Sequence, residues 1–211
     1  MFIRYIYGCD HPYMSVYHKV KAVERVFSLL EKDIEQFKEK TGLGCLKGCG
    51  ECCKKPDIEA SVLEFLPYAY YLHKNNQAFD ILDKLEEYAE ANSVCFMFSP
   101  FTTGQNAGFC SQYRYRGLIC RLFGFSAYLN KYGVPQLSTC RLIKESSPDA
   151  VQKAGDMIEK GDKVPVMRNY YFALMAIDPV LTEKRYPINQ AIVKALQEVC
   201  FYYSYRGKRS S

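Results

Sequence analysis

Four cysteines, Cys45, Cys49, Cys52 and Cys53, fall within the nine residues that end the stretch GCLKGCGECC. Cys95, Cys110, Cys120 and Cys140 follow, and Cys9 and Cys200 lie outside this block. Thiolates bind soft and borderline cations, and four of them close a tetrahedral zinc site or hold an iron–sulfur cluster. Gaps of two and three residues let a short loop curl with several sulfurs inward. The doublet poses a separate question. Adjacent side chains diverge, so Cys52 and Cys53 do not face one ion equally. Either they serve two neighbouring centres, or one stands behind the other. Eight cysteines fit two four-ligand sites, and equally one cluster with spare thiols.

Packing is the competing explanation for any cysteine, because the thiol is a small and often buried hydrophobe. It suits Cys200, inside an apolar helical stretch, and Cys9. It suits the 45–53 cluster poorly, since four thiols beside Lys47, Lys54 and Lys55 make bad core material and crowded thiolates invite oxidation unless ligated. Four thiolates on one divalent ion leave a net charge of about −2. Arg114, Arg116, Arg121 and Arg141 lie among the later cysteines, where guanidinium groups can donate to sulfur and offset that charge.

These sulfurs need elements to bring them together. Residues 14–40 repeat apolar side chains at helical steps, from Val16 through Val20, Val23, Phe27, Leu30 and Ile34 to Phe37, and Thr41-Gly42 stops the helix. Residues 59–74 and 77–92 read as two more helices. Residues 93–120 are rich in turn formers and read as loop. Residues 121–129 suggest a strand, turned at Lys131-Tyr132-Gly133 into a hairpin partner over 134–139. Ser147-Pro148-Asp149 reads as a helix start with a capping serine. Helices are expected over 165–177 and 187–203. His73 reads as a helix C-terminal residue, and Glu59 and Glu64 as exposed helical positions. The expected fold is mainly α with a small β-hairpin. It is one helical domain over 14–211, organised around a cysteine-rich loop region at about 42–141. Residues 1–13 read as an extension of uncertain role.

The chain has 211 residues, 48% of them hydrophobic, enough to bury a core without cross-links. A net charge of +5 is mild and sits partly in the end RGKRSS, so nucleic acid is not an expected partner. The start carries no secretory signal and no window is apolar enough to span a membrane. A cytoplasmic location is therefore expected, and there thiols stay reduced, so ten cysteines point to metal or redox chemistry.

With these residues assembled, the chain resembles the YkgJ-type cysteine-cluster family, whose members are taken to chelate zinc or iron. CLKGCGECC matches its CxxxCxxCC hallmark. CSQYRYRGLICR resembles its second string at Cys110, Tyr113, Arg116, Cys120 and Arg121, with Gly117 in place of the usual proline. Cys95-Phe96-Met97-Phe98 sits where the family carries Cys-Pro-Phe-Leu, again without the proline. The resemblance implies a metal-binding domain that takes zinc or iron, with no general assigned activity. The expected ligands are Cys45, Cys49, Cys52, Cys53, Cys95, Cys110, Cys120 and Cys140, backed by Tyr113, Arg116 and Arg121.

Two rivals use the same sulfurs. Cys45-x3-Cys49-x2-Cys52 satisfies the spacing of an S-adenosylmethionine-dependent iron–sulfur enzyme, but no alternation of strands and helices builds the partial barrel this needs. Cys49-Gly50-Glu51-Cys52 is a bare CxxC without the βαβ context of a redox dithiol. Neither His11, His18 nor His73 forms a nucleophile–base pair, so hydrolysis has no visible machinery. A metal-binding protein is the expected function, with an iron–sulfur enzyme or electron carrier as its alternative.

Overall fold

The computed structural model describes residues 14–101 and 108–207. The N-terminal extension expected over residues 1–13, with Cys9, lies outside them. Helix α1 (Val16–Thr41) opens on Ser15, whose side chain accepts from the His18 N–H, and it buries the expected stripe from Val16 to Phe37. It ends at Gly42, whose left-handed backbone (φ 79°) lets its N–H return to the Lys38 carbonyl at 2.7 Å. Helices α2 (Val62–Lys74) and α3 (Ala78–Ala91) follow. The long C-terminal helix is α9 (Ile188–Gly207). Helix α9 packs on α2 and α3, and α1 covers the other side of α2. Leu30, Leu63, Phe65, Leu66, Ile192 and Leu196 are fully buried in the core of this stack.

Among the described residues, three two-stranded antiparallel ribbons hang from the helices. Strand β1 (Glu59–Ser61) pairs with β6 (Arg185–Pro187), which ties the end of the early cysteine segment to the start of α9. Strands β2 (Phe98–Pro100) and β3 (Gly108–Cys110) place Phe98 opposite Cys110. Strands β4 (Ser126–Leu129) and β5 (Pro135–Ser138) form the expected hairpin. Asn130 Oδ1 fixes its turn by accepting from the N–H groups of Tyr132 and Val134 at 2.9 and 3.0 Å. The short helices are α4 (Leu118–Leu122), α5 (Arg141–Ser146), α6 (Pro148–Glu159), α7 (Met167–Met175) and α8 (Pro179–Glu183). Two 3-10 turns, Glu51–Lys54 and Tyr113–Tyr115, complete the fold.

Several local expectations need correction. Residues 59–61 are strand, not helix, because Ser61 is the true helix cap. Its side chain bonds Glu64, and Glu64 Oε1 accepts from the Ser61 N–H at 2.8 Å, closing a capping box. Glu64 is thus buried, not exposed. Arg121 and Leu122 belong to α4, so the strand expected over 121–129 begins only at Ser126. The loop expected over 93–120 contains β2, β3, a 3-10 turn and the start of α4. Helices α5 and α8 were not anticipated. Helix α6 starts at Pro148 as expected, but the Ser147 side chain makes no capping hydrogen bond. His73 lies in the last turn of α2 and stacks on Tyr203 at 4.3 Å between ring centroids.

Candidate metal centre

The early cysteines hang on a loop that begins where α1 stops. Leu43 anchors it in the core, and its N–H donates to Thr41 Oγ1 at 3.2 Å. The loop then meets the β2–β3 ribbon, where the Gly108 N–H donates to the Gly48 carbonyl at 2.9 Å. Gly50 takes a positive φ of 56° at this contact. A side chain there would strike the Phe98 ring and approach the Gly108 carbonyl oxygen to 3.1 Å. Only glycine satisfies both the backbone angle and the close approach.

The doublet lies on the 3-10 turn Glu51–Lys54. Such a turn has three residues per revolution, so consecutive side chains point about 120° apart. Glu51 and Lys54 share one side and form an ion pair. Cys52 and Cys53 therefore leave by the two other sides.

Each later cysteine is placed by a different device. The Cys95 N–H donates to the Cys53 carbonyl at 2.9 Å, joining the two segments directly. Asn189, buried at the start of α9, clamps the Cys95 loop. Its Nδ2 donates to the carbonyls of Asn92 and Val94 at 3.1 and 2.8 Å, and its Oδ1 accepts from the Phe96 N–H at 2.8 Å. Cys110 ends strand β3. Cys120 rides on α4, whose Leu118 N–H donates to Glu64 Oε2 at 2.7 Å. Cys140 caps α5, its Sγ accepting from the Ile143 N–H at 3.4 Å.

Glu64 joins the capped start of α2 to the start of α4, and sequence reasoning missed this role. Burial pushes its carboxyl up from the ordinary range, opposed by the hydrogen bonds from Ser61 and Leu118. Gly117 sits against it. A Cβ there would crowd the Phe65 ring at 3.0 Å and Glu64 Oε2 at 3.1 Å. Replacing Glu64 by Ala strands the Leu118 and Ser61 donors in the interior, at a cost of about 3 kcal/mol. Glu64→Gln restores only part of this, because its NH₂ faces a donor on one side. Urea unfolding at constant slope measures both variants, and an unchanged Glu64→Ala midpoint would contradict the assigned role.

The eight thiols border two adjoining clefts. One, a cavity of about 390 Å³, is lined by Cys45, Cys52, Cys53, Cys95, Cys110 and Cys120. The other is lined by Cys45, Cys49, Cys52 and Cys140. Cys45 is exposed and Cys95 buried, with the rest of the eight between. Burial pushes the Cys53 thiol up to about 12, and charge on Cys95 and Cys110 pushes the same way. Burial also raises Cys95 to about 11, and Cys110 and Cys120 move in the same direction.

Arg116 and Arg121 are placed differently. The Arg116 guanidinium lies 3.9 Å from the Tyr113 ring centroid, and all three of Arg116, Tyr113 and Cys110 line the cavity that holds Cys53, Cys95 and Cys120. Its charge opposes the upward shift of Cys53 and Cys110. Its Nε is buried without a hydrogen-bond partner among the described residues. Arg121 sends its donors elsewhere: to Glu31, to the Arg114 carbonyl, and to the Arg116 carbonyl at 3.1 Å. It fixes the 114–116 turn beneath the thiols and packs over Phe27 at 4.4 Å.

Among the described residues, no group of three or more Cys, His, Asp or Glu side chains is drawn close enough to hold an ion as it stands. The fit to a cation is one of donor chemistry and shared space. Soft thiol donors line each cleft, with cationic groups beside them, and closing a centre asks the thiols to turn inward between staggered rotamers. Among the described residues, no helix is long and apolar enough to cross a membrane.

Comparison with protein families matches residues 44–153 to the model named CxxCxxCC, described as a putative zinc- or iron-chelating domain. The match spans just over half of the chain and contains all eight of these cysteines. The first gap here holds three residues rather than the two in the family's name. Comparison with curated proteins and with solved structures gives no match.

Proposed function

We propose, from the premise that the chain belongs to the CxxCxxCC family of zinc- or iron-chelating domains, that it holds its metal through thiolates of the eight cysteines between residues 45 and 140. One observation carries this reading. Five chain segments, separated by up to some 90 residues of sequence, present cysteines to two adjoining clefts and to little else of ligand type. When bound, the metal supplies cross-linking of these segments and draws the thiols into their anionic form. The chain's own part is to aim the sulfurs and balance their charge. Asn189 and Glu64 place Cys95 and Cys120, Arg116 offsets negative charge beside Cys53 and Cys110, and Arg121 fixes the turn that carries Arg116. A closed all-sulfur centre of this type is structural, which favours a metal-stabilised binding module.

One observation favours a second reading, an iron–sulfur enzyme or electron carrier. The cavity of Cys53, Cys95, Cys110 and Cys120 is lined by thiols and Arg116, but also by Ile58, Phe65, Met97 and Phe125, and at about 390 Å³ it is roomier than one ion requires. Purification under anaerobic, reducing conditions with metal and acid-labile sulfide analysis tests both. Colourless protein with stoichiometric zinc supports the first, and coloured protein with iron and sulfide the second. Protein that carries neither metal, and takes up neither when supplied, overturns both.

A further inference from the structure

We propose that the eight thiols form two separate metal centres rather than one. The inner is held by Cys53, Cys95, Cys110 and Cys120, the outer by Cys45, Cys49, Cys52 and Cys140, and the peptide between the paired cysteines is the wall between them. The inference rests on the thiolate-chelation reading above and assigns its ligands.

The clefts themselves supply the partition. Of the two clefts, Cys53, Cys95, Cys110 and Cys120 line only the first. Cys49 and Cys140 line only the other. Cys45 and Cys52 border both. The inner cleft thus has its full tetrahedral complement without the shared pair, whereas the outer reaches four only by taking them. The 3-10 turn gives the reason for the doublet, since neighbouring side chains on it diverge by about 120°. The backbone agrees, because the Cys95 N–H donates to the Cys53 carbonyl and so fastens the inner segments to that side of the turn.

The partition cuts across chain order. Each centre combines early and late cysteines, so each cross-links remote segments. The inner centre joins the early loop to the β2–β3 ribbon and to α4. The outer joins it to the end of the β4–β5 hairpin through Cys140, at the cap of α5.

The test is zinc content per chain, with zinc as the sole metal supplied to the reduced full-length protein, read by native mass spectrometry and elemental analysis. Two ions are expected. The double variant Cys49→Ser with Cys140→Ser changes no inner ligand and retains one. The double variant Cys95→Ser with Cys110→Ser changes no outer ligand and also retains one. The first variant and the wild-type count decide the matter even if the second fails to fold. One ion in the wild type, lost in the Cys49→Ser, Cys140→Ser variant, overturns the two-centre assignment while leaving chelation intact. A wild-type chain that takes up no zinc here, and no iron when iron is supplied in its place, overturns the chelation reading beneath it.

Discussion

Stripping the metal with a strong chelator, under reducing and anaerobic conditions, lowers the melting temperature by about 20 °C or more. Structural zinc held by thiolates and imidazoles contributes roughly 10–16 kcal/mol in small domains, comparable to a whole domain's stability of about 5–15 kcal/mol. For a chain of this size each kcal/mol shifts the midpoint by about 2–4 °C. The loss is uneven. Helices α1, α2, α3 and α9 share an apolar core built mainly of aliphatic and aromatic side chains. The segments bearing the cysteines are held by ribbons of three or four residues and two 3-10 turns, too short to stand alone. Hydrogen exchange therefore rises first over residues 44–58, 93–101 and 108–122, while far-ultraviolet circular dichroism keeps most of its helical signal. A midpoint that moves by only a degree or two on complete metal removal would contradict this.

The second large effect is on pH. In the metal-free protein burial holds Cys53 at about 12 and Cys95 at about 11, with Cys110 and Cys120 also raised. All four inner thiols are then protonated between pH 6 and 8. A metal that takes them as thiolates must expel four protons, so its affinity climbs by about four decades per pH unit across that range. The two forms of the protein therefore respond to pH with opposite signs. A thiol whose pKa is raised by folding stabilises the fold while it stays neutral, and that contribution is lost as pH rises through the raised value. The metal-free chain thus weakens in alkali, from the ordinary thiol range towards 12, whereas the loaded chain weakens in acid. Competition against a chelator of known affinity at several pH values measures the slope. A slope near zero would mean that the inner thiols are not the ligands.

Much of this was legible in the sequence where the pattern was local. The apolar stripe of α1 fixed that helix, and Gly42 its end. Lys131 to Gly133 marked the hairpin turn. The cysteine spacing announced a shared chemistry. What was not legible depends on partners remote in the chain. Strand β1 exists because β6 lies beside it, and β6 lies over 120 residues away. Ser61-Val62-Leu63-Glu64 does carry the signature of a capping box, which would have placed the start of α2 and buried Glu64. The second bond of that carboxylate, to Leu118, had no local signal. Asn189 likewise looks like an ordinary residue behind Pro187, and only the fold shows it gripping the Cys95 loop. The doublet was read as two diverging thiols. Which thiol joins which later cysteines depends on how α4, β3 and α5 are docked, and no spacing rule encodes that.

X-ray absorption at the metal edge of the protein as isolated, under reducing conditions, tests the central claim most directly, because it counts the ligands on the ion itself. The account predicts a shell of four sulfurs per metal, at about 2.3 Å if the ion is zinc, with no nitrogen or oxygen in the first shell. A first shell made mainly of nitrogen and oxygen would contradict it.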